Sequence, residues 1–450
     1  MPESNQSLLS AITRANPAMI MPSESASEYM IDNLLPSLVV KPHSVNEVSD
    51  LLKWSSAESQ KVSPWGGGTQ ITLGNPPEQL DVVMDLGDLN EMISFQPADL
   101  TVSVQAGITL DDLQNNLKSA DKFLPLEAPL SNTATIGGIL SASSSGPLRH
   151  TYGLPREWLI GLKIISAQGM ETKSGGQVVK NVTGYDLNKL YTGSLGTLGV
   201  IVEAIFKLAP RPSNHSVILT SFASQVEAIE CGQYLLQQAY GPQGLHVINS
   251  TAGSHLLSQA TQDDKEYKLV AIFTGRTRAI NRRLRESAGL LKTLGAELML
   301  EASGSEAINI VGNLQDLGHT KTNPSTLRVN INFPPSYSKE VTDWLMKDDF
   351  YNINPNQPNG LIGQVIDIGF GYGSLNFWGH VEPSTDDIVR LRTFLTSLGG
   401  SAIIEQCPLY LKKELDIWGD AISGTEIMHE LKRNFDPSRT LNPGRFLSGI

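Results

Sequence analysis

The chain has only two cysteines, Cys231 and Cys407, in 450 residues. They are too few for an iron–sulfur cluster or a zinc ribbon held by this chain alone, since such sites take about four ligands. They lie far apart with no CxxC spacing, which fits two reduced, buried thiols of an intracellular protein. Basic charge is also scarce: 34 Lys and Arg against 46 Asp and Glu leave a net charge of −12. With no Lys/Arg cluster and no stripe of basic and aromatic residues, no nucleic-acid partner is expected. A local cationic pocket for a small anion is compatible with that total, because net charge does not describe one site. No stretch approaches the ~18 apolar residues of a transmembrane segment. The first residues, MPESNQSLLS, lack a basic segment followed by an apolar core, so no signal peptide is expected. Together these absences predict a cytoplasmic protein whose membrane association, if any, is peripheral and made through partners.

The length allows two or three domains with more than one core. Ser44 and Glu47 form a capping box, and Val45, Val48, Leu51 and Leu52 give the helix that follows its apolar face. Lys61–Pro64 reads as a short strand entering Gly66, Gly67 and Gly68, with Asp81–Asp85 as the next strand, a β-α-β-β layout. Val102, Val104 and Ala106 alternate as a half-buried strand, and Thr109 with Asp112 caps a helix carrying Leu110, Leu113 and Leu117. Strands are expected at Leu159–Ile165 and Val200–Leu208. Ala209-Pro210-Arg211-Pro212 then breaks regular structure and marks a domain boundary. Beyond it, strand-like runs such as Lys268–Phe273 and Leu327–Phe333 alternate with amphipathic helices such as Gln225–Ala239 and Ala279–Leu294. That texture implies an α+β domain with an antiparallel sheet.

Three glycine-rich patches carry the chemistry. In Pro64, Trp65, Gly66, Gly67, Gly68, Thr69 and Gln70, consecutive glycines let backbone amides converge on an anion without Cβ obstruction, a nest suited to a pyrophosphate. A glycine-rich surface turn is the plainer alternative. Neither G-x-G-x-x-G nor a Walker loop is present, so a nicotinamide-binding Rossmann site or an NTPase fits poorly. The second patch, Ser131–Gly153, sets Gly137 and Gly138 before small and hydroxyl residues, and Arg149 could meet a phosphate. Tight helix packing accounts for it equally well. The third, Val178–Ile201, places Lys180, Gly184, Tyr185 and Asp186 before a Gly196–Gly199 turn that enters a strand. Such backbone could pass beside a flat ring, and a βαβ crossover with tight turns is the alternative.

In this order and spacing the patches resemble the FAD-binding domain of the vanillyl-alcohol-oxidase/p-cresol-methylhydroxylase (PCMH-type) superfamily, over roughly residues 35 to 212. Phe435–Phe446, FDPSRTLNPGRF, is similar to the closing motif of its 2-hydroxy-acid branch. The resemblance implies an α+β fold with a PCMH-type two-subdomain FAD-binding domain over 31–212, divided near residue 87. An α+β cap domain over 213–400 and a C-terminal segment, 401–450, returning to the FAD domain would follow. By the same resemblance, Pro64 to Gln70 would wrap the pyrophosphate of FAD. Thr135, Gly137, Gly138, Ser144, Gly146, Tyr152 and Gly153 would line the adenosine–ribityl channel, with Pro129, Ile136, Ser141, Ser145 and Arg149 beside them. Lys180, Gly184, Asp186, Gly196, Gly199, Val200 and Ile201 would complete the pocket, and Asn442 to Arg445 would return near the isoalloxazine. Attachment is expected to be non-covalent, because members that tether FAD through the first loop have a histidine where this chain has Thr69.

Within the superfamily, Val178–Ile201 and the ELDIWGD segment, Glu414–Asp420, most resemble the FAD-binding subunit of the glycolate oxidase (glycolate dehydrogenase) complex. That implies oxidation of glycolate, a 2-hydroxy acid, to glyoxylate, with a second related flavoprotein subunit and an iron–sulfur subunit as partners. The alternative is a self-sufficient FAD-dependent D-2-hydroxy-acid (D-lactate-like) dehydrogenase. Catalytic relatives of that second kind carry H-x-H-G-D-G-N-x-H and a later E-H-G. Here the corresponding segments read DIGFGYGSLNFWGH (Asp367–His380) and EQCP (Glu405–Pro408), leaving His380 as the one histidine of that stretch. No metal site is expected. Arg445 is the candidate carboxylate clamp, through bidentate guanidinium geometry, and His380 the candidate base.

Overall fold

A computed structural model of the chain describes residues 19–176, 186–257, 265–320, 324–347, 361–379, 384–420 and 423–450. The chain divides into two units, one of Met1–Ser144, Leu154–Pro210 and Asp416–Ile450, the other of Ser145–Gly153 and Arg211–Leu415. The division after Pro210 falls inside the Ala209–Pro212 breaker. Two segments sit differently from the sequence-based boundaries. Ser145–Gly153 folds with the second unit because Leu148 enters that unit's core and Pro147 O lies 2.8 Å from His246 Nε2. Residues 401–415 also belong there, since Ser401–Gln406 pairs antiparallel with Leu327–Asn332.

Among the described residues the first unit holds two main sheets and one two-stranded antiparallel pair, Lys122–Phe123 with Ala209–Pro210. The smaller main sheet is parallel, with Val82–Asp85 between Leu38–Val40 and Val62–Trp65. Helix Val45–Ala57 covers it, burying Val48, Leu51 and Leu52 on its apolar face. Ser44 Oγ accepts from Glu47 N at 3.3 Å, but the Glu47 carboxylate turns back to His43 N at 2.7 Å rather than to the cap residue itself. The larger sheet is antiparallel, in the order Met92–Gln96, Thr101–Gln105, Val200–Lys207, Leu159–Ile165, Glu171–Gly175. Helices Leu110–Lys118 and Ile136–Ala142 pack into its core beside Val102, Val104, Ile164 and Phe206.

The second unit is built on one eight-stranded sheet, antiparallel throughout. Its middle strands are Gly244–Asn249, Leu361–Asp367 and Tyr372–Trp378, and Glu297–Ser303 and Ser401–Gln406 are its edges. Helices Gln225–Leu236, Thr277–Thr293 and Thr385–Ser397 supply the α component, so this unit is the α+β domain with an antiparallel sheet that the sequence implies. Among the described residues no helix is long and apolar enough to cross a membrane.

Candidate cofactor cleft

Strand Val62–Trp65 ends where the glycines begin, and the space behind them excludes a side chain. A Cβ on Gly67 would lie 1.8 Å from the Thr133 carbonyl oxygen, and one on Gly66 would lie 2.1 Å from Thr135 Oγ1. The loop therefore lies flat against Thr133–Thr135. Among the described residues, the amides of Gly66 to Gln70 donate to no acceptor. Unpaired amides gathered in one loop form a ready anion nest. Trp65 is held edge-on to Tyr29, with ring centroids 5.1 Å apart, and the Tyr29 hydroxyl donates to Asp85 Oδ2 at 2.5 Å. Burial, reinforced by Asp85, pushes the Tyr29 hydroxyl well above its ordinary range and keeps it a donor.

Three other segments close the wall. Thr135 caps helix Ile136–Ala142 by accepting from Gly138 N at 3.3 Å. The turn Ser194–Thr197 carries Leu195 and Gly196 at φ of +51° and +68°, and Leu195 N donates to Ser141 O at 2.9 Å. The C-terminal return pairs beside the small sheet, Val62 N donating to Thr440 O at 2.7 Å and Asn442 N to Val62 O at 3.0 Å. That pairing brings Asn442 and Arg445 to the glycine loop. The result is an open cleft.

The cleft is lined by Pro64 to Gln70, Thr135, Gly137, Gly138, Ser141, Gly196, Gly199, Val200, Ile201, Asn442 and Arg445, all of them singled out in the sequence. Pro129, Ile136, Ser144 and Asp186 belong to the same unit without lining it; Ile136 is a core residue and Asp186 is exposed. Ser145, Gly146, Arg149, Tyr152 and Gly153 fold in the second unit. There Arg149 donates to Ser145 O and Gly146 O, at 3.2 and 3.3 Å, and stacks over Tyr372 with 3.4 Å to the ring centroid. Lys180, Gly184 and His380 lie outside the described residues. Sequence reasoning missed Ile71, Leu73, Leu86, Ala106, Ala142 and Leu195, which also line the cleft. They are ordinary apolar residues, and only Ala106 had a visible signal, its place in an alternating strand.

Among the described residues Arg445 is the one charged side chain on this wall. It is 2% exposed, and its NH2 group donates to the carbonyls of Ile71, at 2.6 Å, and Leu73. Its Nε has no partner among the described residues. Burial lowers its pKa to about 10, with the charge of Asp32 opposing, so it stays cationic at neutral pH. Asn442 is 6% exposed; its Nδ2 donates to Leu195 O at 2.6 Å and its Oδ1 is unpartnered. An amide nest, glycines that leave the loop backbone uncovered, an idle carboxamide oxygen and an idle guanidinium N–H suit the pyrophosphate and the flat polar ring of FAD.

The second unit treats its buried charge differently. Glu405 Oε2 accepts from Arg328 Nε at 2.9 Å and from Asn330 Nδ2 at 2.8 Å. Burial works to raise the Glu405 carboxyl, but Arg328, then His319 and the Asn330 hydrogen bond, outweigh it and hold the group at about 2. His319 is pushed down by burial to about 4. Among the described residues no group of three or more His, Cys, Asp or Glu side chains is arranged to hold a metal ion.

Residues 36–175 match the FAD binding domain family, and residues 420–446 match the C-terminal domain of the FAD linked oxidases. The fold matches that of p-cresol methylhydroxylase with a TM-score of 0.71 at 17% identity, over 95% of this chain and 94% of that one. The fold is therefore that of p-cresol methylhydroxylase, residues 36–175 carry an FAD-binding domain, and the cofactor is FAD. The glycolate oxidase subunit GlcD of Bacillus subtilis is 32% identical over 188 residues, 42% of this chain and 40% of its own length. The glycolate oxidase subunit GlcE of Escherichia coli is 33% identical over 175 residues, 38% of this chain and 49% of its own. The chain thus spans about two fifths to one half of the length of these two relatives.

Proposed function

We infer that the chain is the FAD-carrying subunit of a glycolate-oxidase-type complex, oxidising a 2-hydroxy acid to the 2-oxo acid. Arg445 carries this reading: a buried guanidinium with an idle Nε, on the wall of a cleft whose lining, among the described residues, contains no carboxylate. A cation so placed calls for an anionic group on whatever binds beside it. The likeness to GlcD and GlcE supports glycolate as substrate and glyoxylate as product. FAD, when bound, would supply a two-electron acceptor for the substrate's α-hydrogen, with an iron–sulfur subunit as the destination of the electrons. Arg445 holds the substrate carboxylate by charge and by the N–H donors left over, since its NH2 is spent on Ile71 and Leu73. The amides of Gly66 to Gln70 hold the pyrophosphate, and Thr69 leaves the attachment non-covalent. His380 takes the hydroxyl proton, and a second, related flavoprotein subunit completes a cytoplasmic assembly.

The purified chain should show flavin absorption bands. Because the substrate site to which Arg445 and His380 contribute is completed only by the partner subunits, anaerobic glycolate should leave those bands unchanged with the chain alone and bleach them once the partners are restored. Bleaching of the isolated chain by glycolate or D-lactate would overturn the partner-dependent reading in favour of a self-sufficient dehydrogenase.

A further inference from the structure

Behind the cleft wall the first unit buries a complete ion pair, between Asp436 of the closing motif and Lys432, which no sequence motif announced. Lys432 lies in the last turn of helix Thr425–Phe435 and is 4% exposed; Asp436, just past the helix, is 0% exposed. Lys432 Nζ donates three hydrogen bonds of 2.8 Å, to Asp436 Oδ2, Leu441 O and Thr197 O. Asp436 in turn accepts from Thr440 N at 2.9 Å and from Leu441 N at 2.8 Å. Desolvating an ammonium this fully commonly offsets what the pair returns, so stability alone is a weak reason to keep it. Position is the better reason. Thr197 O lies two residues after Leu195, and Leu441 O one residue before Asn442. One ammonium therefore ties down both ends of the Asn442 Nδ2–Leu195 O bond, which orients the Asn442 side chain on the cleft wall. The Asn442 backbone is left-handed, with φ of +42°, so it needs such external support.

We propose that Lys432 is a positioning residue for FAD: by clamping the Ser194–Thr197 turn to the Asp436–Asn442 turn, it sets Asn442 Oδ1 to accept a hydrogen bond from the bound cofactor. Lys432 touches no cofactor atom itself. The proposal rests on the cofactor assignment and is independent of the substrate and partners.

The test titrates FAD into the FAD-free full chain, for Lys432→Met, Asn442→Ala and the double variant. Flavin fluorescence reports affinity, visible circular dichroism reports the ring's surroundings, and thermal unfolding of the FAD-free protein reports stability. Each single variant should weaken FAD binding by about ten-fold, as the loss of one buried hydrogen bond does. The double variant should be no weaker than about the poorer single, because both act through one contact. The flavin dichroism should change alike in the two singles. Lys432→Met that binds FAD within about two-fold of wild type, with only the thermal midpoint lowered, makes the pair purely structural and overturns the proposal. Fully additive single effects overturn it as well. If Lys432→Met does not fold, Lys432→Gln, which keeps N–H donors at shorter reach, should show the same weakening; wild-type affinity there would sink the idea.

Discussion

Arg445 in the first unit and Arg328 in the second are both 2% exposed, yet their donors are used very differently. Arg328 spends Nε on Glu405, NH1 on Gly318 O at 2.7 Å and NH2 on Gln406 Oε1 at 3.1 Å. Arg445 meets two carbonyls and no carboxylate within ion-pair distance, and its Nε meets nothing among the described residues. A guanidinium neutralised and saturated by its own chain is architecture. One left with net charge and an idle donor is incomplete until an anionic group arrives. Burial alone therefore does not mark a functional cation; the unmet donor does.

The largest expected effect tests the cleft side of that contrast. Gly67→Ala drives a Cβ into the Thr133 carbonyl oxygen, and neither backbone can yield without opening the nest. The purified variant should be nearly colourless, with FAD affinity down by about 100-fold, as overpacking of this kind costs. Next comes the pair of arginines. Arg328→Met leaves Glu405 buried without its cation and should cost about 3–5 kcal/mol in denaturant unfolding, with FAD affinity unchanged. Arg445→Met should cost only about 1–2 kcal/mol, from two orphaned carbonyls, and should weaken the binding of glycolate to the assembled complex. A reversed pattern, FAD lost with Arg328 or stability lost mainly with Arg445, would dissolve the contrast.

Acid sharpens it further. His319 and Glu405 both have folded pKa values below their ordinary ones, so each contributes stability that is complete at higher pH and lost on acidification. The His319 contribution fades from its ordinary value of 6.5 through about 4, and the Glu405 contribution from 4.5 towards about 2. Urea unfolding across that window should show a steep acid limb. Glu405→Gln should flatten its lower part, whereas Arg445→Met should leave it intact. The smallest effect belongs to Gly196→Ala. Its φ of +68° strains any side chain, but the nearest atom, Pro64 Cγ, is 3.5 Å away, so nothing blocks the Cβ. A loss of about 1 kcal/mol and at most about ten-fold in FAD affinity is expected by titration.

Much of this was legible locally. Helix caps at Ser44 and Thr109 show in the sequence because capping is a contact across three residues. The glycine nest shows because three glycines in a row are costly unless the backbone must come close to something. Longer-range features were not legible. Val102 and Val104 alternate as if one face were solvated, yet Thr101 and Ser103 are 4% and 7% exposed, because their strand lies between two neighbours with both faces covered. Nothing in Ser145–Gly153 signals that it leaves the unit on either side of it, since its docking depends on Leu148 and His246, residues 98 apart.

The sequence by itself determined the cofactor class, through the resemblance that three glycine-rich patches in order bear to a known FAD-binding domain, because backbone exposed by glycine is a property of consecutive residues. It also determined the late breaker and the two-part organisation, through proline and a change of periodicity. Only the tertiary structure decided which buried cation faces the cleft and which is silenced by Glu405. The physical reason is that an arginine's role depends on the acceptors around it, and for Arg445 and Arg328 those come from residues up to 374 positions away.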